Sequence, residues 1–270
     1  MHEHRSSPDL QDRLNRRVYH RKGVERSYSR ADLLTRAEAM TLLKYQAAFA
    51  GRDVLDIGVG TGRTTAYIAP LARRYEGIDY SPVMIDYFRH RLPDVAAQLG
   101  DMRDLSMFER GSFDLVLASN CVIDAVSHED RIRALSEVWR VLRPQGYLIF
   151  SSHNRNYDKA FEGPRPHISR NPGTTLRNLI VWGRQLVHHA QTARFRRVEP
   201  EYALLTDEGH DFACLHYYVE ASVQQQQLTE LKFHVVDMLN HLGQSLAPAD
   251  ESRESPWVMY VAQKVLPQSH

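Results

Sequence analysis

Residues 54–65 read VLDIGVGTGRTT, an apolar run that breaks into three glycines at alternate positions. The apolar run predicts a buried strand. The glycines predict a tight turn, because glycine adopts positive φ and has no Cβ to keep a ligand away from the backbone. Thr61, Thr64 and Thr65 can cap a following helix, whose free N–H groups favour an electron-rich or anionic group. We therefore expect a strand, a ligand-binding turn and the start of a helix.

The spacing of the glycines narrows the choice of ligand. A dinucleotide fingerprint, G-x-G-x-x-G, requires glycine at position 63, where this chain has Arg63. A phosphate-binding P-loop requires Gly-Lys-Ser or Gly-Lys-Thr, which does not follow these glycines. What remains is Asp56 followed by Gly58, Gly60 and Gly62, which resembles the D-x-G-x-G-x-G signature of class I S-adenosylmethionine-dependent methyltransferases. The structural alternative for this motif alone is a plain tight turn between a strand and a helix.

A second predicted strand, residues 75–79, ends in Asp79, 17 positions after Gly62. A carboxylate there can accept hydrogen bonds from both ribose hydroxyls of a nucleoside, as the acid about 20 residues beyond the turn does in nucleotide-binding folds. The alternative role for Asp79 is the N-cap of a helix predicted over residues 83–92.

The run LGDMRDL at residues 99–105 looks like the end of the family's third strand. The resemblance implies that Asp101 holds the adenine amine and that Met102 lines the adenine face. A simple turn role is the alternative for Asp101.

Two later segments extend the resemblance. SFDLVLASN at residues 112–120 resembles the fourth strand, and a helix is predicted over residues 128–142. EVWRVLRPQG at residues 137–146 is similar to the family's R-x-L-x-P-G-G turn, with Gln145 in place of the first paired glycine and Gly146 left to make the turn. The cofactor set that we infer comprises Asp56, Gly58, Gly60, Gly62, Arg63 (near the methionine carboxylate), Asp79, Tyr80, Asp101, Met102 and Asn120.

Strands alternate with helices from a helix predicted over residues 30–49 up to residue 152, which predicts a parallel, doubly wound sheet. The fold class is therefore α/β, Rossmann-like, and the resemblance implies seven strands with the last one antiparallel. We expect an N-terminal basic arm or lid (residues 1–30), a methyltransferase core (31–153), a cap inserted after strand five (154–219) and a C-terminal completion of the sheet (220–270). Ligands bind at the strand ends of such sheets, where Asp56, Asp79, Asp101 and Asn120 are all predicted to lie.

The family pattern is interrupted after strand five. Residues 154–200 carry nine Lys or Arg against three acids, and a predicted helix places Leu176, Ile180 and Val187 on one side. Three interpretations stay open: a cap helix that packs on the core with a solvated basic face, a lid that recognises an acidic ligand, or a contact with a membrane surface or nucleic acid. Two extended runs, residues 202–206 and 212–219, predict a hairpin in the cap.

A methyltransferase needs few catalytic groups, because the sulfonium methyl donor is already activated. His153, directly after strand five, is the first candidate for a general base, and His216 is the second. Tyr28, Asn154, Tyr217 and Tyr218 are candidates for contact with the substrate. The spacing of the histidines predicts no metal site.

Composition is typical of an ordered enzyme. The formal net charge is +1, so the overall field does not predict a polyanionic partner. Cys121 and Cys214 form no disulfide framework and favour a reducing cytoplasm. The amino terminus lacks an apolar signal region, and no run has the length of a membrane span.

We therefore expect a small-molecule methyltransferase acting on oxygen or nitrogen and less readily on carbon, with S-adenosylmethionine as cofactor and S-adenosylhomocysteine as product. The alternatives are an RNA or protein methyltransferase that uses the basic insert, and a non-catalytic module that binds S-adenosylmethionine. Peripheral membrane contact by the insert and a homodimer stay open, and nucleic acid is the less favoured partner.

Overall fold

The computed structural model describes residues 8–21, 23, 33–247 and 250–265. The helices are α1 (Pro8–Tyr19), α2 (Arg36–Lys44), α3 (Thr65–Ile68), α4 (Pro82–Arg91), α5 (His128–Val141), α6 (Pro172–Thr192) and α7 (Ala221–Glu230). The strands are β1 (Asp53–Ile57), β2 (Arg74–Asp79), β3 (Ala97–Leu99), β4 (Phe113–Ala118), β5 (Leu142–Asn154), β6 (Arg197–Val198), β7 (Tyr202–Leu205), β8 (His216–Val219), β9 (Phe233–Asn240) and β10 (Trp257–Lys264). Short 3-10 turns cover Val122–Ala125 and Glu208–His210.

Seven strands form the predicted sheet, in the order β3-β2-β1-β4-β5-β10-β9. The first five are parallel, and β10 runs antiparallel between β5 and β9. The α/β fold with a doubly wound sheet and an antiparallel final strand is thereby confirmed. The apolar strand β1 is buried along its whole length, with Leu55 and Ile57 in one core cluster and Val54 in another. Such burial on both faces is what a central parallel strand requires.

The sheet has three strands more than the sequence predicts, and β5 explains where they attach. β4 pairs with β5 as far as Phe150, and β8 then pairs in parallel with His153 and Asn154. The opposite edge of β5 is taken by β10, which pairs with His153 through Trp257. β8 therefore pairs with the same edge of β5 as β4 does, beyond the point where β4 ends. β7 pairs with β8 in antiparallel orientation. The predicted hairpin is present, but it extends the main sheet.

Helix α2 is shorter than the helix predicted over residues 30–49. It begins after Thr35, whose side chain accepts a hydrogen bond from the Glu38 backbone while the Glu38 carboxylate accepts one from the Thr35 backbone. This capping box fixes the start of the helix. The chain then leaves the α-helix at Tyr45 and enters a 3-10 turn at Gln46–Ala48.

The insert forms the long helix α6, whose orientation differs from the first of our three interpretations. Leu176 and Ile180 are 63% and 68% exposed, and Val187 is 53% exposed. The buried residues of the helix are the polar Gln185 and Thr192. The apolar side of α6 therefore faces outward, and the interpretation of a cap helix that packs its apolar side on the core is wrong.

Helix α1, from the predicted basic arm, packs across the carboxyl ends of the strands. Asn15 donates from Nδ2 to the carbonyl oxygens of Ala125 and Leu215, and its Oδ1 accepts from the Leu215 backbone. Ser81 donates to the carbonyl oxygen of Tyr19 at 2.8 Å. These contacts join α1 to the loops after β4 and β2 and to the segment before β8.

Candidate active site

The glycine turn after β1 has the backbone that its sequence predicts. Gly58, Gly60 and Gly62 all have positive φ, at 71°, 51° and 82°. A Cβ added at Gly58 would lie 2.5 Å from a methyl carbon of Val122. The turn can therefore pass this closely under the loop after β4 only with glycine at position 58.

Asp79 closes the turn from the end of β2. Its carboxylate accepts hydrogen bonds from the backbone nitrogens of Gly60 at 2.9 Å and Ser81 at 2.8 Å. Burial raises the pKa of Asp79 to about 6, against the lowering effect of those two hydrogen bonds. The residue lines the cleft above the glycine turn, which is where a ribose-binding carboxylate is predicted to be.

Asp56 lies deeper, at 1% exposure. Its Oδ2 accepts hydrogen bonds from Thr64 Oγ1 at 3.0 Å and from the Tyr75 hydroxyl at 2.7 Å. Burial raises the pKa of Asp56 to about 6. Asp56 therefore joins the end of β1 to β2 and to the start of the following helix.

Arg63 lines the same cleft, with its guanidinium already paired. It donates to both carboxylate oxygens of Glu38, the Nη2–Oε1 bond measuring 2.7 Å, and Ser119 donates to the same carboxylate. Burial opposes ionisation of Glu38, but Arg63 holds the pKa of that carboxyl below its usual range. The proximity of Arg63 to a methionine carboxylate stays a prediction. Sequence reasoning missed Glu38, although Thr35-x-x-Glu38 is a capping-box pattern.

Asp101 lies beside a mostly apolar recess that Tyr80 and Met102 also line. Arg103 bonds both of its carboxylate oxygens, and Arg16 of α1 donates to Oδ2 at 3.0 Å. Asp101 is thus already bonded to two arginines. Contact of Asp101 and Met102 with adenine stays a prediction.

Two cavities meet at the end of β5. The cleft above the glycine turn has a volume of about 440 Å³. It extends from the turn past Asn120, which has a left-handed backbone (φ 56°), to His153. A second cavity of about 490 Å³ lies under the cap, lined on that side by Tyr157 and Phe212. Both volumes lie in the usual range for small-molecule sites. The residues that line both cavities are His153, Asp207, Gly209 and Trp257.

His153 is held at this junction by Asp124, which is fully buried in the 3-10 turn after β4. Asp124 Oδ2 lies 2.8 Å from His153 Nδ1, while its Oδ1 accepts from Ser152 and from the buried Arg131. Burial disfavours the imidazolium, but the hydrogen bond and charge of Asp124 raise the pKa of His153 above its ordinary value. This orientation fixes Nδ1 toward Asp124 and leaves Nε2 toward the cavities. Nothing in the sequence signals Asp124, 29 residues before His153.

His216 and Asp207 form a second pair opposite the first. Asp207 Oδ2 lies 2.8 Å from His216 Nδ1 and 3.6 Å from His153 Nε2, and it accepts from the Tyr218 hydroxyl at 2.9 Å. Burial opposes ionisation of Asp207, but His216 and His153 hold the pKa of that carboxyl well below its usual range. The two imidazole rings stack at 4.9 Å between centroids. The structure thus brings together both predicted histidines and adds two carboxylates that sequence reasoning missed.

The fold places metal-type ligands closer than their spacing in the chain suggests. His153, Asp207 and His216 each offer one ligand atom, all within 4.8 Å of one another. The Nδ1 atoms of both histidines are already bonded to carboxylates. These bonds leave the Nε2 atoms as the ones that could bind a metal. A metal-free site stays our prediction.

The predicted substrate residues separate. Tyr218 faces the cap cavity, whereas its neighbour Tyr217 is fully buried, with its hydroxyl bonded to His128 and Gln227. Alternate residues of a strand point to opposite faces, so the pair could not both line the cavity. Asn154 is buried and donates to three carbonyl oxygens in residues 251–255, which is a structural role. The structure does not place Tyr217 or Asn154 at the cavity, and Tyr28 lies outside the described residues.

The match to a known protein family covers only part of the chain. Residues 54–146 match the family described as methyltransferase domain. A probable S-adenosylmethionine-dependent methyltransferase of Mycolicibacterium smegmatis is 36% identical over 107 residues, which are 39% of this chain and 40% of that protein. A malonyl-[acyl-carrier protein] O-methyltransferase of Serratia marcescens is 31% identical over 126 residues, 47% of this chain and 48% of that protein. This chain thus spans less than half the length of these curated relatives.

Similarity to solved structures extends over nearly the whole chain. The 1,6-didemethyltoxoflavin-N1-methyltransferase of Burkholderia thailandensis, solved with 1,6-didemethyltoxoflavin and S-adenosylhomocysteine, has a TM-score of 0.59. The match covers 98% of this chain and 93% of that one at 15% identity, so it shows the fold alone. Residues 54–146 and the relatives that match there show a methyltransferase domain. The fold of the chain is similar to that of a solved S-adenosylmethionine-dependent methyltransferase.

Proposed function

We propose that this chain transfers a methyl group from S-adenosylmethionine to an oxygen or nitrogen, and less readily a carbon, of a small molecule held under the cap. The observation that carries the proposal is the junction of the two cavities at His153 and Asp207. A donor bound over the glycine turn and an acceptor bound under the cap would meet there. The volume of the cap cavity, about 490 Å³, suits a small molecule.

The residues of the cleft fit the cofactor. Gly60 faces open space in the cleft, because the nearest atom to an added Cβ would be Gly58 O at 3.9 Å, and Asp79 supplies a carboxylate acceptor beside it. When bound, S-adenosylmethionine supplies an electrophilic methyl group on a sulfonium. The protein's part is to align the acceptor, exclude water and remove a proton from an oxygen acceptor. His153 Nε2 takes that proton, and Asp124 stabilises the resulting imidazolium.

The relatives support the choice of acceptor class. The Burkholderia enzyme was solved with a small heterocycle, and the Serratia relative is named as an O-methyltransferase of an acyl-carrier-bound substrate. Both names are compatible with transfer to nitrogen or oxygen. Neither names a nucleic acid, so the RNA alternative has no support from them.

Two measurements test the proposal in order. Calorimetric titration with S-adenosylmethionine should show binding to the folded chain; absence of binding would overturn the cofactor and the enzyme together. Incubation of the protein with methyl-tritiated S-adenosylmethionine and a whole-cell extract should then place tritium in the small-molecule fraction. Label recovered in RNA or protein would overturn the acceptor class, and binding without any transfer would favour a non-catalytic module.

The role of His153 has its own variant. His153→Ala should abolish transfer while leaving affinity for S-adenosylmethionine unchanged, because Asp79 and the glycine turn do not contact this histidine. Full activity in that variant would exclude His153 as the base. His216→Ala is the matched comparison, and a larger loss there would move the base to His216.

A further inference from the structure

Helix α6 carries an apolar stripe on the side that faces away from the protein. The stripe is formed by residues at intervals of three and four, so they share one face of the helix. It extends about 17 Å from residue 176 to residue 187, at 1.5 Å per residue. Its members are Leu176, Leu179, Ile180, Leu186 and Val187, each at least 39% exposed.

The inner side of α6 explains why the stripe faces outward. Trp182 donates to the carbonyl oxygen of Pro164 at 3.2 Å, and Gln185 donates to Asp211 at 3.3 Å. His188 lies 3.0 Å from the carbonyl oxygen of Asp211. Polar contacts and the half-buried Val181 and Trp182 therefore hold the inner side of the helix, while the stripe stays largely exposed. A soluble helix normally has the reverse arrangement.

Positive charge surrounds the stripe. Residues 163–198 contain seven arginines and no acid. Arg177 and Arg184 lie along α6, Arg170 precedes it, and Arg194 and Arg197 follow it. Arg184 pairs with Asp211, but among the described residues no carboxylate lies within 4 Å of Arg170, Arg177, Arg194 or Arg197. The stripe is thus bordered by cations at both ends and along its length.

We propose that this face of α6 binds the surface of an anionic lipid bilayer. Apolar side chains would enter the boundary between headgroups and acyl chains, and the arginines would contact the phosphates, as in other basic amphipathic helices. A second copy of the chain is the less suitable occupant. A two-fold contact would bring this patch against the same patch of a second copy, so the arginines of one copy would meet a surface that also carries positive charge.

Vesicle co-sedimentation of the full chain tests this inference. The probes are phosphatidylcholine vesicles, alone or with about 30 mol% phosphatidylglycerol. We expect binding to the anionic vesicles only, and its loss as salt rises from about 0.1 to about 0.5 M. The double variant Ile180→Gln/Val187→Gln should reduce partitioning about tenfold for each apolar side chain removed.

The matched control is Leu43→Gln/Val236→Gln, which removes two exposed apolar side chains away from α6 and should bind as the unchanged protein does. Equal binding to neutral and anionic vesicles, or full binding by the α6 variant, would overturn the inference. Light scattering gives the other decisive outcome. A dimer that the α6 variant converts to monomer, together with no vesicle binding, would assign the face to self-association. Methyl transfer is not measured in any of these arms, so their failure leaves the proposed function standing.

Discussion

Asp124 binds His153 twice, accepting from its backbone nitrogen at 2.7 Å and lying 2.8 Å from its Nδ1. The carboxylate is inaccessible to solvent, and Arg131 and Ser152 bond its other oxygen. The imidazole is therefore fixed in position and in tautomer, with Nε2 presented to the junction of the two cavities. A base that takes the proton from a methyl acceptor benefits from being held in one position.

Asp124→Asn should shift the pH profile of methyl transfer. The base acts when neutral, so the rate rises as pH passes the pKa of His153, which Asp124 raises above its ordinary value. Without the carboxylate that pKa falls, so the acid limb of kcat/KM moves to lower pH while kcat drops about 100-fold. Rate measurements over a pH series check both effects. An unmoved acid limb would show that Asp124 has a structural role only.

Affinity for S-adenosylmethionine should fall in acid. The pKa of Asp79 is raised to about 6, so the carboxylate is ionised above that pH and becomes protonated as pH falls through it. Protonation removes an acceptor for ribose hydroxyls, and affinity should fall by up to about tenfold per pH unit below the pKa. Calorimetry at a series of pH values measures this slope. Asp79→Asn should bind weakly with no such slope, whereas the exposed control Asp94→Asn should retain it.

Gly58→Ala should destabilise the protein more than Gly51→Ala. Both glycines have φ near 70°, so alanine is strained by about 1 kcal/mol at either site. A Cβ meets Val122 at 2.5 Å in the first case and nothing within 4 Å in the second. We expect losses of about 3 and about 1 kcal/mol in the free energy of unfolding, measured with urea. Equal losses would contradict the close approach of the turn to Val122.

Arg131→Met should cost about 3 to 5 kcal/mol of unfolding free energy, because it leaves the buried carboxylate of Asp124 without its cation. Arg253→Met removes an exposed partner of Asp158 and should change the free energy of unfolding little. Urea denaturation of both variants makes the comparison. Equal losses would show that the buried ion pair of Arg131 and Asp124 contributes no more than an exposed one.

Treatment with a metal chelator should leave methyl transfer unchanged, because the sulfonium methyl donor is already activated and the proposed base is the imidazole of His153. Assays after dialysis against the chelator check this. Loss of activity that a divalent cation restores would instead assign His153, Asp207 and His216 as metal ligands.

The glycine turn and the position of Asp79 could be predicted because the sequence signals for both are local. Glycines 58, 60 and 62 need positive φ at fixed spacing, and Asp79 follows its own strand. The turn predicted at residues 143–146 shows the limit of such a prediction. These residues lie within β5, and the residue with positive φ (61°) is Gln145, whereas we expected Gly146 to make the turn. Gly146 is required for another reason: a Cβ there would lie 2.9 Å from the carbonyl oxygen of Arg143.

The acceptor half could not be predicted to the same extent, because it depends on pairing between distant segments. Asp207 reaches His153 only because β8 continues the edge of β5 beyond β4. The apolar periodicity of α6 located a helix correctly but did not show which side faces the protein. Periodicity gives an apolar face, and only the tertiary contacts of Trp182 and Gln185 decide what that face meets.

The double pairing of β5 has a kinetic consequence. Because β8 is hydrogen-bonded to the strand that carries His153, the cap cannot open as a hinged lid without breaking the sheet. Helix α1, by contrast, is attached to the mouth of the cleft through side-chain bonds from Gln11 and Asn15 to backbone carbonyls. We therefore expect S-adenosylhomocysteine to leave by displacement of α1 and not by movement of the cap.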